Sequence, residues 1–564
     1  MALQKDNAKK DAKGKQKDTS TDSPTKLLDP YILAKRVRQL CADNKIDDAV
    51  TMLKNAPRDA MNTPVWNTMI WEALKVQRYQ LAQSLYVDMK RRGFSPTTRT
   101  YQTLFSGLSR IERWNTFPKQ LANARSLYDD FQRHITSLKA HDAYSPDITS
   151  TPLAGYIKIL GNAGEYQEIF DVFYSLDQDG TYIANEFIYT AIFQALADMR
   201  QVLNGKGITA PSQWDAKVAS DVRMLWNQMT KPGASQTKTN AKFLSSRPGP
   251  ADQFAATAAI SALSQGEDVD HELAFKIARD FFGLSKDEMS IVKGYYPLTR
   301  QSLGAILKLC NDAKQHSTCM HFFQLVKRSN KFQDILDRPH VEEVLKSRYH
   351  LPSGGLGLAS LQLLEWMLQR EKAGHGPQIR PAASTYNLVL TACWKAADWP
   401  SAVTAFDLMT GYQAEDLSDE AVANGVVPRH DRFRREGNRD LVPPSLEALS
   451  SLARTANTTR QRSNIRACLR LIDRIEPEVI FPGSPRATGV NAGSGKTAKN
   501  KVFFATKLAQ AVNEGWDLIK GYADEFSREE FLKWRSLKDR LNKSFNKKPA
   551  GYAPTKLIKI PDVV

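Results

Sequence analysis

The sequence has few cysteines, and they are not spaced as pairs. Five are scattered over 564 residues: Cys41, Cys310, Cys319, Cys393 and Cys468. Small secreted domains carry dense, evenly numbered cysteines, so this distribution excludes a disulfide framework and indicates reduced, structural thiols. No apolar run approaches the roughly 20 residues that a membrane-spanning helix requires.

Strand patterns and catalytic motifs are also missing. No long segment alternates apolar and polar residues, which argues against a β-sheet. No ordering of Ser, His and Asp or of Cys and His marks a nucleophile, and no dense Asp cluster marks a metal-dependent nuclease. We therefore expect a non-enzymatic protein with no catalytic residues, no metal site and no cofactor.

Two short segments resemble ligand-binding motifs, but each differs from the full motif. The segment GSGKT at 493–497 resembles the end of a phosphate-binding loop. Val490 stands where that loop needs a glycine, and no long buried strand precedes it. Cysteine and histidine also cluster between residues 310 and 321, and these are zinc ligand types. The helical pattern, however, places Cys310 and His321 in helices, with His321 at a core position.

The charge is unbalanced towards cations. Lys and Arg number 78 against 61 Asp and Glu, which gives a net charge of +17. Such an excess favours an anionic partner, most often nucleic acid or a membrane surface. The first 26 residues contain no Arg and four Asp, so we expect them to be disordered and see no amphipathic import helix there.

Residues 63–97 carry the clearest repeat pattern. Two apolar stripes at helical spacing follow each other, and each predicts a helix: Val65, Trp66, Met69, Ile70 and Ala73, then Leu81, Ala82, Leu85, Tyr86 and Met89. Gly93 ends the second helix and Pro96 prevents its restart. Neither helix can bury its stripe alone, which indicates an array of stacked helical pairs.

The order of residues within this pair is specific. The opening Trp66-Asn67-Thr68-Met69-Ile70, then Ala82, Leu85, Tyr86, Met89, Gly93 and Pro96, resembles the pentatricopeptide repeat. Residues 100–105 restate the opening, and a second good copy starts near Ala383. The Asn after the aromatic residue and the Gly-x-x-Pro ending argue against tetratricopeptide repeats. The resemblance implies an all-α fold, an α-solenoid of stacked helix-turn-helix repeats, several of them degenerate.

The pattern predicts this organisation along the chain. A disordered N-terminal segment (1–26) precedes N-terminal repeats (27–230), a loop (231–250), C-terminal repeats (251–410), a polar Arg-rich loop (411–444), a helical pair (445–480), a linker (481–498) and a basic helical tail (499–564).

The resemblance also implies candidate RNA-binding residues. In the family, the fifth and the last residue of a repeat line the concave face and meet the edge of one RNA base. The matching residues are Asn67, Thr97, Gln102, Asp147 and Asn387. An amide suits this role because it both donates and accepts hydrogen bonds.

Two features weaken a continuous RNA code. Asn67 and Asn387 would serve equally as N-terminal helix residues chosen for local hydrogen bonds. Ala154 and Leu303 align with the fifth position in two other copies, and neither reads a base edge by hydrogen bonding. We therefore expect no regular code across the array.

One predicted helix carries arginine every fourth residue. The four are Arg462, Arg466, Arg470 and Arg474. They would form a basic stripe, and the planar guanidinium group bonds phosphate well, so we predict phosphate contacts. The alternative is a solvated face paired with Asp473 and Glu476.

The C-terminal tail is basic. From Arg486 onward it holds sixteen Lys or Arg against eight Asp or Glu. Aromatic residues lie between the cations. Three roles are possible for the tail: a segment that binds nucleic acid without sequence preference, a docking helix for a ribonucleoprotein, or a cap over the end of the array. A capping box of Ser527 and Glu530 is predicted for its last helix.

The resemblance therefore implies a binder of single-stranded organellar RNA in mitochondrial RNA metabolism, acting in transcript stability, processing, splicing or translation. A mitochondrial location follows from the resemblance alone. Two other functions stay open: a protein-binding scaffold such as a respiratory-complex assembly factor, and a subunit of the mitochondrial ribosome.

Overall fold

The computed structural model describes residues 29–112, 114–178, 180–207, 213–231, 251–352, 354–375, 377–427, 441–477 and 495–546. These residues form twenty-three α-helices and short 3₁₀ turns, and contain no β-strand. The predicted all-α class is confirmed. The chain divides into two compact units, Met1–Thr209 and Ala210–Val564. Within the described part, no helix is long and apolar enough to cross a lipid bilayer.

Unit 1 is a stack of helical pairs. Its helices are α1 (Pro30–Ala42), α2 (Ile46–Asn55), α3 (Thr63–Lys75), α4 (Tyr79–Arg91), α5 (Thr98–Leu108), α6 (Pro118–His141), α7 (Thr151–Ala163), α8 (Tyr166–Tyr174) and α9 (Glu186–Gly205). The first helices of successive pairs, α1, α3, α5, α7 and α9, contact one another in that order. Each pair thus buries its stripe against its neighbours.

The pair α3–α4 shows why these residues form helices. Asn62 caps α3 by accepting a hydrogen bond from the Val65 backbone N–H at 3.0 Å. Trp66, like the rest of the apolar stripe, is fully buried. After α4, Gly93 adopts a φ of +83°, a conformation that side chains with a Cβ rarely take. The two predicted apolar stripes, Val65 to Ala73 and Leu81 to Met89, lie within α3 and α4.

Unit 2 contains the remaining helices. They are α10 (Trp214–Thr230), α11 (Gln253–Leu263), α12 (Asp268–Phe282), α13 (Arg300–Asp312), α14 (His316–Arg328), α15 (Arg338–His350), α16 (Leu356–Lys372), α17 (Ala383–Ala396), α18 (Trp399–Thr410), α19 (Asp419–Ala423), α20 (Leu446–Thr459), α21 (Arg462–Ile475), α22 (Gly495–Ile519) and α23 (Arg528–Asn546). First helices again meet in sequence, from α11 through α13, α15 and α17 to α20.

Two helices of unit 2 lie in segments predicted as irregular. The five-residue α19 lies within the predicted loop 411–444, and α22 begins inside the predicted linker 481–498. Ser418 caps α19 through a 3.2 Å bond from the Ala421 N–H. The described residues leave out the N-terminal segment 1–26, most of the loop 231–250, residues 428–440 of the predicted Arg-rich loop, residues 478–494 and residues 547–564.

The last two helices pack onto the array. α22 contacts α20 and α21, and α23 contacts α21 and α22. Asn457 of α20 donates to the Ala511 carbonyl of α22 at 2.8 Å, and Trp534 of α23 is buried. The predicted capping box of α23 is confirmed, since Ser527 and Glu530 exchange side-chain to backbone hydrogen bonds. The α22–α23 hairpin therefore covers the end of unit 2.

Candidate nucleic-acid interface

The helix N-caps fix which residue takes the fifth position in each first helix. Counting five residues from each N-cap gives Ala34, Asn67, Gln102, Gly155 and Thr190 in unit 1, and Thr257, Gly304, Glu342, Asn387 and Ser450 in unit 2. Ala154 and Leu303 lie one residue earlier, and Leu303 is a fully buried core residue. The assignment of these two is thus corrected to glycines, which still cannot read a base with a side chain.

A cleft in unit 1 brings three of the predicted residues together. Asn67 of α3, Gln102 of α5 and Thr97 at the N-cap of α5 all line one cavity of about 570 Å³. Its other lining residues are Arg38, Thr63, Pro64, Thr68, Trp71, Arg99, Thr103 and Ser106. Because α3 and α5 are neighbouring first helices, their equivalent positions meet on one face.

The electrostatics of this cleft favour an anion. No carboxylate lines it, whereas Arg38 and Arg99 do. Arg38 has no ion pair within the described part of the chain. The Arg99 Nη1 donates to Gln102 Oε1 at 2.9 Å, which holds the amide of Gln102 beside a positive charge. An anionic group entering here meets guanidinium groups and amides but no repelling charge.

Asn67 is the polar group in the cleft with unmet hydrogen-bonding capacity. Its Oδ1 is shielded from solvent and accepts no hydrogen bond. Such an orphaned acceptor costs on the order of 1–3 kcal/mol. By contrast, the Thr68 hydroxyl donates to the Pro64 carbonyl at 2.9 Å, within its own helix. Unmet polar groups that persist in a folded protein often mark ligand sites.

Three residues of the cleft were not predicted as site residues from the sequence. Arg38 and Arg99 lie on one side of their helices among other exposed residues, and Trp71 follows Ile70 outside the apolar stripe. The Trp71 ring lies 4.6 Å beneath the guanidinium group of Arg110, an arrangement that fixes a flat aromatic surface. In the sequence, a tryptophan on the polar face of α3, close to Asn67, was the pattern that could have indicated this part of the cleft.

Asp147 and Thr97 lie at the ends of neighbouring pairs. Asp147 is exposed and does not line the cleft, and its carbonyl accepts the Thr98 hydroxyl at 2.7 Å. The Thr97 backbone N–H donates to Thr100 Oγ1 at 3.1 Å, so Thr97 also caps α5. Thr97 thus combines a structural role with a place in the cleft.

Asn387 occupies the same helix position in unit 2, but it is only 9% exposed. Its Nδ2 donates to Glu447 Oε2 at 2.6 Å. Burial raises the pKa of Glu447, and the hydrogen bond from Asn387 partly offsets that rise. The donor group of this amide is therefore bound within the protein, whereas its Oδ1, like that of Asn67, is shielded from solvent and accepts no hydrogen bond.

The arginines of α21 face acidic residues of other elements. Arg466, 8% exposed, bonds Asp419 at 2.6 Å and also pairs with Glu525. Arg470 bonds Asp419 and Glu530, each at 2.7 Å. Burial alone would raise the pKa of Asp419, but hydrogen bonds from the two arginines outweigh it and lower that pKa.

The first arginine of the stripe is also paired. Arg462 bonds Glu525 at 2.6 Å and lies 4.0 Å over the Tyr522 ring. Asp473, suggested as a partner on α21 itself, pairs with Arg540 of α23. The stripe, which Arg474 completes near the end of α21, thus tethers the α22–α23 hairpin. Its contact with phosphate stays a prediction, and the structure favours the internal pairing.

The zinc-type residues between 310 and 321 form no ligand cluster. Cys310 and Cys319 are buried, and burial raises the pKa of both thiols. The His321 ring bonds the Glu288 carbonyl, and the His316 ring stacks on His350. Across the described residues, no three His, Cys, Asp or Glu side chains are grouped as metal ligands.

Comparison with known families matches residues 61–110 to the PPR repeat family. The matched segment spans α3, α4 and α5, which carry the cleft. With the helical pairs described above, this match shows that the segment is similar to the pentatricopeptide repeat over three helices of unit 1. A search of curated protein sequences finds no significant match.

Solved structures similar to this chain include the pentatricopeptide repeat protein PPR10 in two forms. In complex with an 18-nt psaJ RNA element it is 14% identical, with a TM-score of 0.30, over 93% of this chain and 70% of that chain. PPR10 from maize is also 14% identical, with a TM-score of 0.22, over 92% of this chain and 83% of that chain.

Proposed function

We propose that this protein binds single-stranded RNA through the unit 1 cleft. The observation that carries the proposal is that Asn67, Thr97 and Gln102 line one cavity that holds two arginines and no carboxylate. At about 570 Å³ the cavity has the size of a ligand site.

Each lining residue has a role in the proposal. Asn67 and Gln102 bond base edges, because an amide matches the mixed donors and acceptors found there. Arg38 and Arg99 hold phosphates. Trp71 offers a flat ring on which a base stacks. No chemical step is needed: the protein acts by holding a segment of transcript.

The biological setting is part of the same proposal. The family resemblance supports mitochondrial RNA metabolism, in transcript stability, processing, splicing or translation. Fractionation of cells expressing the full-length protein tests the location, and recovery only outside mitochondria would contradict it.

A protein-binding role is the second candidate. It is favoured by the glycines at the fifth positions of α7 and α13 and by the buried Asn387, since a surface that binds protein needs no amides there. A scaffold for respiratory-complex assembly or a ribosome-associated subunit would fit this description.

The test is selection of RNA from a random pool by the full-length protein, followed by affinity measurements on the enriched sequence. The double variant Asn67→Ala, Gln102→Ala is compared with Gln83→Ala, Asn123→Ala, which removes two amides from the second helices α4 and α6. Each base-specific contact contributes about 1–3 kcal/mol, so the first variant should bind at least tenfold more weakly. The matched control should bind like the wild type.

Two results would contradict the proposal. One is an enriched sequence bound equally by both variants, which would place the readout elsewhere. The other is a pool with no enrichment at all, which would favour the protein-binding candidate.

A further inference from the structure

The loop between α12 and α13 in unit 2, residues 283–299, is held rigidly against the helix before it. The Val292 N–H donates to the Gly283 carbonyl at 3.0 Å, and the Tyr296 N–H donates to the Phe281 carbonyl at 2.8 Å. Gly283, with a φ of +74°, brings its Cα so close that a Cβ there would lie 2.0 Å from the Val292 oxygen. A long loop with such close backbone packing holds a defined conformation before any ligand binds.

This loop forms one wall of a second cleft, of about 770 Å³. The opposite wall comes from the end of α14 and the segment after it. The lining residues are Phe282, Met289 to Leu298, Leu325, Arg328, Ser329, Lys331 and Phe332. Large apolar groups stay open to solvent here, with Met289 84% and Tyr295 48% exposed.

The cleft is positively charged and contains no acid. Lys293, Arg328 and Lys331 line it, and no Asp or Glu does. None of the three cations has an ion pair with any described residue. This contrasts with Arg279 and Arg370 nearby, which pair with Asp280 and Asp334. Three cations without an ion pair, beside the exposed ring of Tyr295, favour a ligand that combines anionic groups with flat ring systems.

The position of the cleft relates it to the first helices. Leu298 of the lining precedes Thr299, the N-cap of α13, which exchanges capping hydrogen bonds with Ser302. Thr299 is the counterpart in unit 2 of Thr97, which caps α5 in the same way and lines the unit 1 cleft. The second cleft therefore reaches to the residue before a first-helix N-cap, but its walls are the loop and the ends of the second helices α12 and α14.

We propose that this second cleft binds single-stranded RNA without sequence preference, its three cations holding phosphates and Tyr295 stacking on a base. The inference rests on the proposed function and adds a binding site made by a loop rather than by fifth-position side chains. An acidic peptide shares the anionic charge, but the exposed ring of Tyr295 offers a surface on which a base stacks, and this favours RNA.

The test measures binding of full-length protein to a 20-nucleotide oligouridine as a function of salt. For single strands, each phosphate contact contributes about 0.7 to the slope of log affinity against log salt. The triple variant Lys293→Gln, Arg328→Gln, Lys331→Gln should therefore lose about 2 from that slope. Tyr295→Ala should weaken binding about tenfold or more at fixed salt, because stacking contributes about 1–3 kcal/mol per base.

The matched control removes three exposed lysines elsewhere, as Lys35→Gln, Lys45→Gln, Lys276→Gln, and carries the same change in net charge. It should leave the slope within about 0.5 of the wild type, a margin below one contact. Thermal unfolding of all variants checks that they remain folded. An equal fall in slope for both triple variants would overturn the proposal, because general charge would then explain binding.

Two further outcomes separate this proposal from the function on which it rests. An unchanged slope in the cleft variant, with binding to the selected sequence still lost in Asn67→Ala, Gln102→Ala, overturns the second cleft alone. Loss of binding to a fluorescent poly-glutamate peptide in the cleft variant, with oligouridine binding unchanged, also overturns it and marks a protein-binding surface. Failure of the wild type to bind any RNA removes both proposals.

Discussion

The unit 1 cleft and the end of unit 2 place the same kinds of side chain in opposite situations. In unit 1, Asn67 and Gln102 line an acid-free cavity beside Arg38 and Arg99. In unit 2, Asn387 donates to Glu447, and the arginines of α21 bond carboxylates of α19, α23 and the turn between the last two helices. Spacing in the sequence therefore shows which face a residue takes, but packing decides whether it is available to a ligand.

The largest expected effect comes from breaking the arginine cluster. Arg466→Ala removes a guanidinium group that is 8% exposed and bonds both Asp419 and Glu525. Both carboxylates are about one third exposed and keep Arg470 and Arg462 as partners. The expected loss is therefore about 1.5–3 kcal/mol, the range for hydrogen bonds to charged groups. Hydrogen exchange in α21 and α23 should rise sharply. Arg462→Ala, at a side chain 42% exposed, should cost less than about 1 kcal/mol.

The same pair of variants tests the prediction that these arginines hold phosphate. If Arg466→Ala leaves exchange unchanged but reduces the salt slope of RNA binding by about 0.7, the internal pairing would be secondary. The arginines of α21 would then be available to a ligand, like the side chains of the unit 1 cleft.

A smaller effect is expected at the two fifth-position glycines. A Cβ on Gly155 would lie 3.0 Å from the Phe105 Cβ and 3.1 Å from the Phe105 carbonyl carbon, whereas at Gly304 the nearest atom is His340 Nε2 at 3.6 Å. Gly155→Gln should therefore destabilise the protein by about 1–3 kcal/mol through overpacking. Gly304→Gln should be neutral or stabilising, since glycine costs about 0.5–1 kcal/mol inside a helix.

Thermal unfolding of these two glycine variants provides the measurement. Equal melting temperatures would show that α7 can move away from α5. In that case packing would not require glycine at position 155. An amide side chain could then occupy the fifth position of either α7 or α13.

The smallest effect is expected for alanine variants of Asn67 and Asn387. These two variants should differ both in stability and in RNA affinity. Asn387→Ala leaves a half-buried carboxylate of Glu447 without its donor, so it should cost about 1–2 kcal/mol and leave RNA affinity unchanged. Asn67→Ala removes a shielded acceptor that bonds nothing. It should therefore leave the stability unchanged or raise it by up to about 1–3 kcal/mol, while weakening RNA binding.

Each variant is measured by chemical unfolding and by affinity for the selected RNA. If the two variants showed the same pattern in both assays, the asparagines would be equivalent and the difference between the units would be wrong.

The helices of α3 and α4 were predictable because an apolar stripe and a terminal glycine coincide. The first helix α15 was not, because His340 and Ser347 take two of its buried positions. His340 bonds the Arg300 carbonyl at 2.9 Å, a contact that a hydrophobic pattern does not reveal.

The candidate site was predictable in part for the same reason. Asn67, Thr97 and Gln102 follow from the resemblance to the pentatricopeptide repeat, although the structure adds Arg38 from α1. The partners of Arg466 were out of reach, since Asp419 lies 47 residues before it and Glu525 lies 59 residues after it. Long-range pairs of this kind depend on how elements dock.

The α22–α23 hairpin has a consequence for how molecules of this protein behave towards one another. A stack of helical pairs ends in a face that resembles the interior joint between two pairs, and an uncovered end of this kind invites a second molecule to add on. Here Trp534 and Asn457 occupy that face with contacts from the hairpin. We therefore expect the hairpin to oppose the addition of a second molecule at this end.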